Sequence, residues 1–126
     1  VVLDPWNEIE HQFGRTMTET QYTNEALRKL KKWARQYQIA IIVVAHPTKG
    51  VTEKSLSDLS MYDVAGSASW ANKSDHGIII YREEYAKETQ IKIAKCKDHS
   101  RMGTPGIVTM RFNVMTSTFE FIRSGI

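Results

Sequence analysis

Apolar runs that each stop at one polar residue dominate the first third of this sequence. Val1-Val2-Leu3 ends at Asp4, and the apolar run 39–45 ends at His46, just before Pro47. Such a run is typical of a buried parallel strand, which carries its last side chain to the carboxyl edge of a sheet, where open α/β folds bind ligands. We therefore expect Asp4 and His46 to belong to one site.

Between these two runs the apolar positions recur at helical spacing. Thr18-Glu19-Thr20-Gln21 has the capping-box pattern, so a helix is predicted to begin there, and apolar residues from Ala26 to Tyr37 recur at helical spacing. Its basic face is interpreted as solvated surface rather than as a nucleic-acid groove. Strand, helix and strand form a crossover unit, which predicts that the two strands are parallel.

The second half of the chain alternates with the period of a β-strand. The polar segment 48–62 is predicted to be a loop with at most one helical turn, and the small residues of 65–72 predict a short helix. Strands are then predicted at 77–82, 90–95, 106–112 and 118–122. We expect these strands to be antiparallel and appended to a parallel α/β layer.

Composition narrows the class of protein. The chain has 126 residues, of which 41% are hydrophobic, and a net charge of +3, which permits an anionic partner without requiring one. A single cysteine, Cys96, excludes an internal disulfide, and no apolar stretch is long enough to span a membrane. These features predict a cytoplasmic protein, and the opening inside a strand, without Met, predicts a piece of a longer polypeptide.

Three groups of residues carry candidate chemistry. Asp4 has the pattern of a Walker B aspartate, which orders a water on Mg²⁺, although strand-terminal aspartates also cap helices and form turns. His46 is either a core histidine or a group that meets a γ-phosphate at the sheet edge. Lys95, Lys97 and Arg101 lie near a glycine-rich turn that is either a solvated hairpin tip or a set of cations aimed at phosphate.

Four short motifs occur in an order and spacing that resemble those of the ring helicases. They are Val1–Asp4, Val43–Lys49, Asp63–Ser67 followed by 74–79, and Ile93–Lys97 with its trailing turn. Over nearly all of its length the sequence resembles the C-terminal half of the RecA-like motor of DnaB-type replicative helicases, in the style of phage primase–helicases and the mitochondrial helicase Twinkle. The resemblance implies that residues 1–126 form part of an α/β, RecA-like P-loop NTPase core with appended antiparallel C-terminal strands.

The resemblance also implies a role for each candidate residue. Asp4 would be the Walker B aspartate that holds Mg²⁺ through water, and His46 the γ-phosphate sensor. Lys95 would reach a neighbouring subunit's nucleotide, and either Lys97 or Arg101 would be the trans-acting finger, since the family generally has arginine where this chain has Lys97. The residues that fall where the family binds DNA are Lys49, Lys54, Gly66 and Ser67. The implied ligands are ATP or another NTP with Mg²⁺, and the implied partners are single-stranded DNA and a hexameric ring.

Two family features do not occur in this sequence. There is no G-x-x-x-x-G-K-[ST] phosphate loop. The family's catalytic glutamate has no counterpart either, since its place in the family is upstream of Asp4 and Glu8 and Glu10 are therefore poor candidates for the catalytic base. The isolated chain is therefore predicted not to hydrolyse ATP, whereas its parent is predicted to be an ATP-dependent DNA helicase, with or without a fused primase. The alternatives are a plasmid-replication or recombinase-type RecA-like ATPase, or a non-enzymatic nucleic-acid-binding or assembly module. Cys96 and His99 lack a second ligand pair, so zinc is not expected.

Overall fold

Two separate sheets, one parallel and one antiparallel, organise the chain. The computed structural model describes residues 1–12, 14, 16–64 and 68–122. The first unit comprises Val1–Lys54 and Leu59–Ser74, and the second comprises Ser55–Asp58 and Asp75–Ile126. The predicted fold class, α/β with appended antiparallel strands, is confirmed by this arrangement.

The parallel sheet of the first unit is short. Its strands β1 (Val2–Leu3) and β2 (Ile42–Val43) pair in parallel, as the strand–helix–strand pattern predicts. The predicted strand 39–45 is wrong in length, because β1 offers partners only to the middle of that run. Hydrogen bonds from the Ile42 N–H to the Val1 carbonyl and from the Val44 N–H to the Leu3 carbonyl, both 2.9 Å, complete the ladder.

Helix α1 (Glu19–Tyr37) connects the two strands and begins where the sequence predicts. Both capping-box bonds form: the Gln21 N–H donates to Thr18 Oγ1 at 3.2 Å, and the Thr18 N–H donates to Gln21 Oε1 at 2.9 Å. These bonds satisfy two N–H groups that have no partner inside the helix. Thr23, at 2% exposure, is the most buried residue of α1, whereas the apolar residues Trp33 and Tyr37 remain exposed.

Helix α2 (Ser69–Lys73) packs against α1 in the same unit. Two polar contacts join them: Ser69 Oγ donates to Asn24 Oδ1 at 3.2 Å, and Lys31 Nζ donates to the Lys73 carbonyl at 2.9 Å. The helix predicted at 65–72 therefore lies further along the chain, and residues 65–67 fall outside the described residues. The Lys31 contact places a cation at the carbonyl end of α2, where the helix dipole favours positive charge.

An aromatic cluster forms the core beside the parallel sheet. Trp6, in the 3-10 turn Trp6–Glu8, meets Trp70 edge to face, with ring centroids 5.4 Å apart. His11 lies 4.5 Å from the Trp6 ring, and its Nε2 is 2.9 Å from the Trp6 carbonyl while its Nδ1 is 3.0 Å from the Tyr22 hydroxyl. Since a carbonyl only accepts, Nε2 carries a proton, and His11 is a partly buried residue whose two ring nitrogens are both engaged in this cluster.

The segment 48–62 is more ordered than its polar sequence predicts. It contains the 3-10 turn Lys49–Glu53 and leads into a second, Met61–Asp63. Val51, Leu56 and Leu59 within it are all buried. The prediction of a loop with at most one turn was wrong because these apolar residues are too irregularly spaced to reveal a periodic element, yet each still finds a buried position.

The second unit is a four-stranded antiparallel meander, as predicted. Its strands follow the order β3-β4-β5-β6, and they are β3 (His76–Tyr81), β4 (Glu88–Cys96), β5 (Gly106–Asn113) and β6 (Thr118–Phe121). The short helix α3 (His99–Met102) connects β4 to β5. In the ranges that the structure describes, no helix has the length and apolar character needed to cross a membrane.

Candidate nucleotide-binding edge and basic cluster

Asp4 and His46 lie at the same edge of the parallel sheet. Asp4 directly follows β1, and the register pairs Leu3 with Val43, so His46 lies three residues beyond the end of that pairing. The Trp6 N–H donates to the Val44 carbonyl at 2.7 Å and keeps the two chain segments together past the strands. The sequence-based expectation that both strands present their polar residues at one edge agrees with this register.

Asn7 connects the segment after Asp4 to His46. Its side-chain oxygen, Oδ1, accepts a hydrogen bond from the His46 backbone N–H at 3.0 Å. Nothing in the sequence pattern singles out Asn7, because this bond joins residues 39 positions apart. The bond occupies the backbone of His46 and leaves its imidazole out of the contact.

Both candidate side chains are exposed rather than buried. Within the described residues, neither the Asp4 carboxylate nor the His46 imidazole forms a hydrogen bond or ion pair. The interpretation of His46 as a core histidine is therefore wrong, since its ring is not enclosed. An acceptor-only carboxylate and an imidazole that can donate are thus both accessible to a ligand at this edge.

Asp63 closes the segment that follows His46. Its carbonyl accepts from the Thr48 N–H at 2.8 Å, and Pro47 and Val64 form an antiparallel bridge beside that bond. Its carboxylate Oδ2 accepts from the Ser60 backbone N–H at 2.8 Å and from Ser60 Oγ at 3.1 Å. These contacts hold the two residues after His46 against Asp63 and Val64. The Ser60-x-x-Asp63 capping-box pattern was the signal that could have identified this contact from the sequence.

Lys54 is engaged by Asp63. Its Nζ lies 2.5 Å from Asp63 Oδ1, and this hydrogen bond is the main reason that the pKa of Asp63 lies below its usual range, with the Ser60 backbone N–H as the next cause. Lys49, in contrast, is exposed and has no hydrogen-bond or ion-pair partner among the described residues. The two lysines predicted to bind DNA therefore differ: Lys49 is accessible, and Lys54 also holds its own loop.

Gly66 and Ser67, the other two predicted DNA-binding residues, lie outside the described residues. The described chain resumes at Ala68, the residue before α2. The structure does, however, place Val64 in the bridge to Pro47.

The three predicted cations Lys95, Lys97 and Arg101 belong to the second unit. Lys95 pairs with Gly77 inside β4, in agreement with the strand predicted at 90–95, whereas Lys97 and Arg101 follow that strand. Lys97 Nζ forms an ion pair with Asp75 at 3.0 Å. Arg101 lies on α3, and its side chain is 83% exposed with only a 3.7 Å contact to Asp98. The side chain of Arg101 is therefore less constrained than that of Lys97.

Gly103 ends the short helix that carries Arg101. Its φ of +96° lies in the region that side chains with a Cβ adopt only with strain. At this position of the predicted glycine-rich turn, the backbone conformation therefore favours glycine. Among the residues that the structure describes, no group of three or more His, Cys, Asp or Glu side chains could hold a metal ion, and Cys96 is buried at the end of β4.

The sequence of this chain is similar to a known protein family and to a known relative. The sequence model of the family described as "DnaB-like helicase C terminal domain" matches residues 1–121. The "Twinkle homolog protein, chloroplastic/mitochondrial" of Arabidopsis thaliana is 38% identical over 82 residues, which cover 65% of this chain and 11% of that protein. The chain thus spans about a tenth of the length of this relative.

Two solved structures have a similar fold. One, whose title describes an ATPase domain, superposes with a TM-score of 0.72 at 20% identity and covers 90% of this chain and 41% of that one. The other, titled "The Structure Of A DnaB-Like Replicative Helicase And Its Interactions With Primase", superposes with a TM-score of 0.74 at 21% identity, covering 94% of this chain and 29% of that one. Both superpositions cover less than half of the matched chain's length.

Proposed function

The chain belongs to the DnaB-like helicase C-terminal domain family, and from this premise we propose that it is part of the motor of an ATP-dependent replicative DNA helicase. The observation that carries the proposal is the common edge of Asp4 and His46, held by the Asn7 hydrogen bond to the His46 N–H. A carboxylate and an imidazole at the ends of two parallel strands can act on one nucleotide. The proposal covers the parent protein and its oligomer, not the activity of this chain alone.

The donor set at the edge suits Mg²⁺ bound with a nucleotide. Mg²⁺ keeps several waters and is usually held by one or two carboxylates plus substrate phosphates, so a protein site rich in ligands is not required. The exposed Asp4 carboxylate, which has no partner among the described residues, fits that role. When bound, Mg²⁺ would neutralise charge on the phosphates of ATP or another NTP. Asp4 would orient the metal's water and thereby the nucleotide.

His46 is proposed to respond to the γ-phosphate. Its imidazole is free to donate an N–H to a phosphate oxygen while its backbone stays bound to Asn7. When the phosphate leaves, that donor loses its acceptor, and the change would pass along Pro47 and Thr48 to Asp63. The loop that contains Lys49 and Lys54 lies between those contacts.

This loop and the segment after it are proposed to bind single-stranded DNA. Lys49 would contact a phosphate directly, because it is exposed and has no partner among the described residues. Lys54 would have to exchange its Asp63 partner for a phosphate, so it would couple DNA binding to the loop's conformation. Gly66 and Ser67 remain proposed DNA contacts through the resemblance alone.

A cation of the second unit is proposed to complete a neighbouring subunit's site in a hexameric ring. Arg101 is the better candidate for the finger, since its planar guanidinium can make two parallel hydrogen bonds to phosphate and its side chain is 83% exposed. Lys97 would first have to leave Asp75. Lys95, inside β4, would serve as an additional cation toward the same nucleotide. A fused primase and a phage origin remain part of the proposal only as features of related helicases.

The substitution Asp4→Asn in the full-length parent tests the nucleotide role. It removes the carboxylate charge with little change of shape, so ATP turnover should be abolished while DNA binding is largely retained. Glu8→Gln, which neutralises another exposed carboxylate four residues away, is the matched control and should leave turnover near that of the wild type. Equal turnover in both variants would contradict the assignment. The isolated 126-residue chain, which has no phosphate-loop motif, is expected not to hydrolyse ATP.

A second substitution separates sensing from stability. His46→Ala should leave nucleotide binding nearly intact but uncouple DNA-stimulated hydrolysis from unwinding, with an unchanged thermal melting temperature because the ring is exposed. His76→Ala, also at an exposed histidine, is the control and should behave as the wild type. Loss of stability without uncoupling would mean that His46 is only structural.

A further inference from the structure

A basic groove runs along α1 beside the end of α2, within the first unit. Its cavity volume is about 780 Å³, and seven residues line it: Arg28, Lys31, Lys32, Arg35, Gln36, Asn72 and Lys73. The four cations from α1 have spacings of three and four residues, so they share one side of the helix. With Lys73 of α2, five cations line the groove. Neither Asp4 nor His46 is among its lining residues.

Most of the cations in the groove have no acidic partner among the described residues. None of the seven lining residues is a carboxylate, and among the described residues Arg28, Lys32, Arg35 and Lys73 have no ion-pair partner. Lys31 donates to the Lys73 carbonyl at 2.9 Å, which holds α2 against α1 and keeps the groove walls together. Such a concentration of positive charge attracts an anionic ligand.

The side chains that line the groove indicate which class of anion it binds. Phosphate contacts in nucleic-acid complexes come mainly from Arg, Lys, Asn and Gln, and this groove contains only those residue types. Protein–protein interfaces are instead depleted of lysine and rely on buried aromatic residues at their centre, whereas the exposed aromatic residues of α1, Trp33 and Tyr37, do not line the groove. A nucleic-acid backbone therefore fits better than an acidic protein segment.

We propose that this groove binds the sugar–phosphate backbone of a single-stranded nucleic acid without reading its sequence. Residues 28 to 35 span about 10.5 Å of helix at ~1.5 Å per residue, and a stacked strand carries one phosphate per ~3.4 Å, so about three phosphates fit alongside. The proposal is an alternative to the interpretation of the basic face of α1 as solvated surface. None of the residues assigned to the nucleotide edge, to the finger or to the DNA-binding loop lines this groove, so this site is separate from those of the proposed function.

The test measures affinity and its salt dependence in the full-length parent protein. Arg28→Gln/Arg35→Gln removes two exposed cations from the groove, and Lys29→Gln/Lys87→Gln removes two exposed cations outside it. Binding of a fluorescein-labelled oligothymidylate is followed by fluorescence anisotropy over a range of NaCl concentrations. The groove variant should bind roughly tenfold more weakly, and its slope of log affinity against log salt should become less steep by about 1.4, since each single-strand phosphate contact contributes about 0.7.

The two variants and a second probe distinguish the outcomes. The same affinity and slope for the groove variant and its control would overturn the proposal and return the face to solvated surface. Weaker binding of poly-glutamate to the groove variant, with unchanged oligothymidylate binding, would overturn it in favour of an acidic protein partner. Thermal melting of both variants should match the wild type, because all four substituted side chains are exposed. The outcome does not depend on the Asp4→Asn turnover assay, so either proposal can fail alone.

Discussion

Replacing Trp6 by alanine would remove the side chain around which the segment after Asp4 is folded. Trp6 is 8% exposed and packs against Trp70 and His11, with ring-centroid distances of 5.4 and 4.5 Å. Truncating a buried tryptophan costs ~3–5 kcal/mol, because apolar contact is lost and the cavity collapses only partly. We expect the free energy of unfolding of the first unit to fall by about 4 kcal/mol.

Trp33→Ala is the matched control, since it deletes the same side chain at a more exposed position. Trp6 is 8% exposed and Trp33 is 50% exposed, a difference of 42%. On a residue of about 250 Å² that difference is about 105 Å². At ~25 cal/mol per Å² it corresponds to about 2.5 kcal/mol, so Trp33→Ala should cost about 1.5 kcal/mol.

The assay is urea unfolding of the full 126-residue chain followed by tryptophan fluorescence. All three tryptophans, Trp6, Trp33 and Trp70, lie in the first unit, so the signal reports that unit, and each variant keeps two of them. The unfolding midpoint should fall clearly further for Trp6→Ala than for Trp33→Ala. Equal losses, or a loss below about 1 kcal/mol for Trp6→Ala, would refute the role of Trp6 as the anchor of this segment.

Two further predictions test individual contacts. Lys54→Met removes the main cause of the low pKa of Asp63, so that pKa should rise toward its usual range in a carboxyl NMR titration. In the wild type, this contribution to the unfolding free energy is present above the unfolded pKa and is lost as pH falls through the lower folded pKa; an unchanged Asp63 titration in the variant would contradict the assignment. Thr18→Ala should lower the unfolding free energy by about 1 kcal/mol in urea denaturation, because the cap to Gln21 is lost; no change would mean that this cap does not stabilise α1.

Features governed by local chemistry could be predicted from the sequence. Helix α1 begins at Glu19, directly after the capping residue Thr18, because the capping box and the apolar period act within a few residues. The antiparallel meander also followed from the alternation in each strand. The common edge of Asp4 and His46 could be anticipated because parallel strands end at the same side of a sheet.

Features that depend on distant partners could not be predicted. The length of β2 is set by how many residues of β1 are available to pair with it. The Asn7 bond to His46 joins two segments that are linked only through the folded sheet. The spacing of residues along the sequence does not predict such contacts. The groove beside α1 likewise requires α2, whose position is a tertiary feature.

Subunit mixing in the full-length parent tests most directly whether Asp4 and a trans-acting cation form one active site. Asp4→Asn subunits and Arg101→Ala subunits should each be inactive, since loss of a finger costs ~10³–10⁵ in rate in other phosphoryl-transfer systems. In an equimolar mixture about one interface in four pairs an intact Asp4 with an intact Arg101, because subunits join head to tail in a ring. ATP turnover should therefore recover in part on mixing. No recovery in rings proven to contain both subunits would contradict this prediction and would place Arg101 in its own subunit's chemistry or on DNA alone.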